Sequence, residues 1–233
     1  QPLALARPAA DGGTLTVLNG RRLSICIVVP GHDLLPSWAN TRHLRDLARS
    51  LGQQADVTLA FRRVPQPVSV EGFRVLELER RASERERFGG MRPSLRALDR
   101  FAEEHLRAFD VVLESSWLLT GRVSSWCLER GIPAVPIVSR VPVLDSVWTM
   151  PVTAGRTWLT RSISGQYLRR TPVIVAESAE LRAAAIDRWR VPADHIEVIE
   201  TGVDRSLFRP QAQAAARERL GIPAEQRILV YVG

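Results

Sequence analysis

Residues 173–210 read VIVAESAELRAAAIDRWRVPADHIEVIETGVDRSLFRP, and the fold is decided there. The stretch opens on a short apolar run and passes at Ser178 into a segment where Leu181, Ala185 and Trp189 recur four apart, which places all three on one face of a helix. Ser178 suits the N-cap, its hydroxyl accepting from N–H groups of the first turn, and Glu180 lies where the helix dipole favours a carboxylate. Val191-Pro192 ends the helix, because proline disfavours the helical conformation in the residue before it. A second apolar alternation through Ile196, Val198 and Ile199 leads into Thr201-Gly202-Val203-Asp204, after which Phe208 and Pro210 begin a more polar passage. The order is strand, helix, strand, glycine turn, connector.

The same alternation runs through the rest of the chain. Residues 1–22 hold Pro2, Pro8, Gly12-Gly13 and Asn19-Gly20, signals of a flexible arm, with a short strand at 15–18. Residues 23–29 (LSICIVV) are apolar nearly throughout, as a parallel strand covered on both faces should be, and stop at Pro30-Gly31. A helix follows, with Leu44, Leu47, Ala48 and Leu51 as its apolar stripe and Asn40 or Thr41 as its cap. Residues 55–61 form a second strand, and 73–78 (FRVLEL) alternate as a half-exposed or edge strand does. The spacing of Leu95, Leu98, Ala102, Leu106 and Phe109 predicts a helix ending near Asp110. A buried strand begins at Asp110 (DVVL), a helix spans 118–130 and stops at Gly131, and a strand covers 132–138. Pro133 and Pro136 are awkward in a fully paired central strand. Leu159, Ile163 and Tyr167 place a helix before Thr171-Pro172, a short helix around 214–220 is capped by Gly221, and RILVYV (227–232) reads as a final strand. The fold class is α/β, a Rossmann-like doubly wound and mainly parallel sheet.

At 233 residues, with 45% hydrophobic and 24% charged residues, the composition is that of a soluble globular protein. The 32 basic residues against 25 acidic ones give +7, and every basic residue is arginine. This balance suits phosphate-bearing ligands, anionic membranes or nucleic acid and does not choose among them; arginine usage alone also fits a genomic bias. Nucleic-acid binding has only that charge behind it, since no zinc-finger or RNP motif occurs. Cys26 and Cys127 read as buried free thiols, not as a disulfide or metal framework. No run approaches the ~18 apolar residues of a membrane-spanning helix, and no signal-peptide block is present, so a cytoplasmic protein is expected. The mixed-charge passage 79–88 (ERRASERERF) reads as a solvated segment or as a peripheral contact with the inner face of an anionic membrane.

In doubly wound sheets ligands bind outside the carboxyl ends of the strands, where helix N-termini attract anions. The loop after the first strand (PGHDLLPSWANTR) is therefore a candidate site. Trp38 can stack on a sugar while Asn40 and Arg42 donate to its oxygens; alternatively Trp38 packs under the loop and Arg42 is a solvated helix charge. Glu114 and Ser115, in the run Glu114-Ser115-Ser116-Trp117 at the carboxyl end of the DVVL strand, can face a cleft and contact an acceptor; alternatively Ser115 or Ser116 caps the next helix. No GxGxxG dinucleotide fingerprint occurs.

Residues 173–233 resemble the end of the first domain of family-four retaining glycosyltransferases of the GT-B fold. In that family a strand ending in serine, a helix, the pattern P..I.VI.NGVD...F.P and a lone strand ending VG follow in this order. Here the corresponding residues are Ser178, Pro192, Ile196, Val198-Ile199, Gly202-Val203-Asp204, Phe208, Pro210 and Val232-Gly233, with Thr201 where the family usually has asparagine. The resemblance implies the first, acceptor-side domain of a GT-B architecture: an arm at 1–22, the domain itself at 23–204, a connector at 205–227, and the first strand of a donor-binding domain at 228–233. It implies a nucleotide-sugar donor with no separate cofactor, a carbohydrate or lipid-linked acceptor, and a cleft lined by Gly31, Glu177, Gly202, Asp204 and Gly233. Many family members carry a histidine at the end of the strand that covers 132–138 here. Ser139-Arg140 stands in its place, and Arg140 either stabilises the leaving diphosphate as a charged donor or is a surface arginine.

Two functions follow. The first is a retaining glycosyltransferase that needs no obligatory metal, in keeping with the lack of any Asp-x-Asp motif; the second is a non-catalytic module that binds a carbohydrate or lipid-linked acceptor. The donor-site residues of the family lie downstream of Gly233, and the chain begins with glutamine, so these residues are expected to be part of a longer protein and inactive alone. A lone final strand without its sheet would expose unpaired edges.

Overall fold

The computed structural model describes residues 21–30, 33–34, 39–64, 72–78, 95–115, 120–139, 162–203, 205 and 208–229. Strand β1 (Ser24–Val29) is buried along nearly its whole length. Its alternating side chains feed two separate cores. Ile25, Ile27 and Val29 join Leu44 and Ala48 of helix α1 (Ala39–Leu51), while Cys26 and Val28 join Leu98, Phe101 and Ala102 of helix α2 (Leu95–His105) and Leu106 of the 3-10 turn Leu106–Ala108. Period-two alternation with apolar residues on both faces requires cover on both sides, and the helices supply it.

The remaining strands are β2 (Asp56–Phe61), β3 (Arg74–Glu77), β4 (Val111–Ser115), β5 (Ala134–Val138), β6 (Ile174–Ala176) and β7 (Ile196–Val198). They form one seven-stranded sheet in the order β3-β2-β1-β4-β5-β6-β7, parallel at every pairing. The order reverses between β1 and β4, which is the switch point of a doubly wound sheet. β3 lies at one edge, as its alternation predicts. The chain divides into two compact units, Gln1–Glu200 and Thr201–Gly233. The second contains helix α5 (Gln213–Leu220), closed by Gly221 at φ +66°; Ile228 and Leu229 are described without strand structure, Leu229 being 98% exposed.

Several local expectations are met. Helix α4 (Ala179–Trp189) starts at Ser178, whose Oγ accepts from Leu181 N–H at 3.2 Å, and buries Ala185 and Trp189 with partly buried Leu181 against Ile174, Ala176 and Ile196. Gly131 is left-handed after the helix that precedes β5. β5 is a central strand despite Pro136, and the register explains how. The Val112 N–H donates to the Pro133 carbonyl and the Glu177 N–H to the Val138 carbonyl. Pro136 therefore faces β6, whose pairing begins only at Ile137 opposite Val175. The missing N–H falls ahead of the paired residues.

Two expectations are corrected. Helix α1 starts at Ala39, ahead of the Asn40 or Thr41 cap. Helix α3 (Arg122–Leu128) is not capped by Ser115, and Ser116 lies outside the described residues; the helix begins after Gly121, at φ +91°, where a side chain would come within 2.9 Å of Tyr167 Cβ. Glu114, expected to contact an acceptor, caps it instead. This side chain is 0% exposed; Oε1 accepts from Gly121 N–H at 3.0 Å, and Oε2 accepts from Ser124 N–H at 2.8 Å and Ser124 Oγ at 2.9 Å. Its oxygens are consumed by the fold, so Glu114 is a structural carboxylate. Ser115 beside it is also buried.

Burial pushes Glu114 up to about 6, against the opposing pull of the donors of Ser124, Gly121 and Val123. An acid raised above its ordinary value of 4.5 adds stability that is full below that value and is lost as pH rises through the folded one. Between about pH 4.5 and about pH 6.5 the wild-type chain should lose about 2 kcal/mol of unfolding free energy relative to Glu114→Gln in urea titrations; parallel curves would show that Glu114 titrates normally. Ser178→Ala should cost about 1 kcal/mol by the same measurement, and Ser178→Asp, which keeps an acceptor at the cap, much less.

Candidate functional site

The carboxyl ends of β1, β4, β5 and β6 lie along one edge of the first unit, and beside Glu114, Ser115 and Ser139 two groups of described polar residues stand there. The first locks the loop after β1 to the end of β2. β1 and β2 run in register to Val29 opposite Phe61, so the residues that follow each strand emerge side by side. Asp33 accepts from Arg62 Nε at 2.7 Å and Nη2 at 2.9 Å, a two-point contact with an arginine only 9% exposed. Buried Leu34 donates its N–H to the Arg63 carbonyl at 2.8 Å. A planar guanidinium meeting a carboxylate at two points fixes orientation as well as distance.

The second group joins α1 to the turn after β6. His43 Nε2 lies 3.3 Å from Glu177 Oε1, with the side chains 33% and 19% exposed. Hydrogen bonding to Glu177 raises the His43 pKa above its ordinary value; partial burial opposes this, and the charges of Glu177 and Asp46 add to the rise. Glu177 is itself placed by its N–H bond to the Val138 carbonyl and by Ser178, the cap of α4.

Only some of the residues expected from the sequence are among the described ones. Arg42 lies in α1 and is exposed. Asn40 lies in the first turn of α1. Glu177 stands at the edge, bonded to His43, and Ser139, just past β5, is exposed. Gly202, in the second unit, is exposed with open space around its Cα. Gly31, Trp38, Arg140, Asp204 and Gly233 lie outside the described residues, as does the charged passage 79–88. Sequence reasoning missed His43, Asp33 and Arg62. A signal existed for the last two, since two parallel strands of equal length each run out into charged residues. None existed for His43, whose partner lies far along the chain.

Among the described residues no three His, Cys, Asp or Glu side chains gather as a group able to hold a metal ion. Nor, among them, is any helix long and apolar enough to cross a membrane. Cys26 and Cys127 are buried free thiols, and burial pushes Cys127 up to about 12, which leaves it without thiolate character.

Comparison with known proteins agrees with this architecture. The sequence profile of Glycosyltransferase Family 4 matches residues 41–207. The D-inositol 3-phosphate glycosyltransferase of Thermobispora bispora is 30% identical over 132 residues, which cover 54% of this chain and 29% of that protein. The enzyme of the same name from Salinispora arenicola is 31% identical over 134 residues, again 54% and 29%. The matched part thus spans under a third of these relatives. Among solved structures, HepE of Anabaena in complex with UDP-glucose superposes with a TM-score of 0.52 at 13% identity, covering 86% of this chain and 50% of that one. WaaG, a glycosyltransferase involved in lipopolysaccharide biosynthesis, does so at 0.54 and 10%, covering 87% and 52%. At such identities the likeness speaks to the fold, and the fold is the Rossmann-like sheet of GT-B glycosyltransferases. With most of its length matched by the profile, the chain belongs to Glycosyltransferase Family 4.

Proposed function

We propose that the protein moves a sugar from a nucleotide-activated donor to a hydroxyl of a carbohydrate or lipid-linked acceptor, with retention of configuration at the anomeric carbon. The profile match over residues 41–207 carries this reading. The acceptor is held along the carboxyl edge of the first unit by Arg42, with Trp38 and Asn40 from the same loop and helix. Arg140, two residues beyond β5 in the sequence, serves in this reading as the charged donor to the leaving diphosphate; charge-assisted donors are the means by which a protein stabilises such a group without a separate cofactor. When the acceptor is lipid-linked, the arginines of residues 79–88 make a peripheral contact with an anionic cytoplasmic membrane surface.

The names of the relatives suggest which substrates to try first. HepE was solved with UDP-glucose, and the sequence relatives are named for D-inositol 3-phosphate. UDP-sugars with a phosphorylated cyclitol as acceptor are therefore the first assay for the full-length protein that carries these residues. The expected result is a glycosylated product whose anomeric proton coupling in NMR matches the configuration of the donor. Inversion would overturn retention, and no transfer from any nucleotide sugar, together with measurable acceptor binding, would favour the non-catalytic module. Arg140→Ala should lower kcat about 10²–10³-fold, as loss of a donor to developing negative charge does. An unchanged kcat would return Arg140 to the surface.

A further inference from the structure

The His43–Glu177 contact joins parts of the first unit that the sheet keeps apart. α1 is seated by Leu44 and Ala48 on the face made by Ile25, Ile27, Val29, Val57 and Leu59 of β1 and β2. Glu177 follows β6, and the strand order puts both β4 and β5 between β1 and β6. The pair therefore passes over the carboxyl ends of β4 and β5, beside the switch point where doubly wound sheets bind ligands. One end is immobile, since the Glu177 backbone is bonded to Val138 and the next residue caps α4. The other end is the opening of α1, the helix that carries Asn40 and Arg42.

We propose that His43 and Glu177 form a protonation-dependent strut that positions the amino-terminal turns of α1 over the ends of β4 and β5, and so sets affinity for the acceptor and not for the donor. The acceptor is of the hydroxyl-bearing carbohydrate or cyclitol class, and this rests on the glycosyl-transfer reading above. His43 and Glu177 are positioning residues, acting through the placement of α1.

The electrostatics set the direction of the pH response. Among the described residues, the charged groups facing His43 are Glu177, from the turn after β6, and Asp46, one turn further along α1 and bonded to Arg49 at 2.7 Å; Arg42, its neighbour in sequence, is exposed. Both facing groups are anionic and favour imidazolium. A histidine raised by its partner holds that partner fully below its ordinary pKa and releases it as pH rises through the raised value. The strut is tight in acid and slack in alkali.

The test uses the full-length protein that carries these residues, with NMR titration of the His43 imidazole in wild type and Glu177→Gln, and with acceptor and donor KM for wild type, His43→Gln, Glu177→Gln and the double variant on both sides of that titration. The His43 pKa should fall in Glu177→Gln. On the acidic side each single variant should raise acceptor KM about fivefold or more, the low end of coupling between linked sites, with donor KM unchanged. The double variant should be no worse than the worse single one, and the difference from wild type should vanish on the alkaline side. An unchanged His43 titration in Glu177→Gln overturns the strut; so do acceptor and donor KM values that rise together at every pH, which mark a merely structural contact, or an acceptor KM that does not move. If wild type transfers no sugar, the glycosyl-transfer reading fails and the acceptor role falls with it, while the titration still decides whether the two side chains are coupled.

Discussion

The organising constraint is that β1 is covered on both faces. A strand with Ile25, Ile27 and Val29 on one side and Cys26 and Val28 on the other has no solvent face to give away. Each such side chain contributes roughly 1.5–3 kcal/mol when fully buried, so the strand cannot lie at an edge or face water without losing most of what holds it. Helices must then lie on both sides, which parallel connections provide when the strand order reverses within the sheet, as it does here between β1 and β4. The switch point thus belongs with the two-sided cover that the apolar alternation of β1 demands.

The same constraint explains where the polar chemistry is. With strand interiors this apolar, charged residues are buried, among the described residues, only where the strands run out, because an unpaired buried charge costs far more than a buried methyl group returns. Asp33, Arg62, Glu114 and Glu177 all stand at such ends. Their roles diverge by how completely their partners satisfy them. Glu114 is enclosed and its oxygens are taken by Gly121 and Ser124, so it holds α3 and has nothing left for a ligand. Asp33 and Arg62 take each other and stiffen the loop after β1. Arg42, by contrast, is an exposed residue of α1. A ligand site needs both kinds, since a group free to bind is useful only when its support is held.

How much of this was legible follows the sequence distance over which each interaction acts. Ser178 and the Leu181, Ala185, Trp189 face of α4 could be read because cap and stripe are local. The edge position of β3 followed from its alternation, and Gly221 from its place after a helix. Glu114 was misjudged between neighbours: serines near a helix start are the commoner caps, and nothing local reveals that a carboxylate at a strand end will be buried with its helix. Pro136 looked incompatible with a central strand because the sequence does not state where β6 begins to pair. In each case the missing information was a register or a burial, set by residues elsewhere in the chain.

His43 and Glu177 are the extreme of this pattern, and parallel topology is the reason. An antiparallel hairpin brings sequence neighbours together, whereas a parallel sheet gathers at one edge the ends of strands separated by whole helices. The edge that binds ligands is therefore assembled from the residues least visible to each other in sequence. A family signature in residues 173–210 can identify the scaffold, because it records local strand, cap and turn chemistry. It says nothing about which histidine on an earlier helix Glu177 will meet. What distinguishes one member of such a family from another has to be sought at these edge contacts, where two residues can change without disturbing the pattern by which the family is recognised.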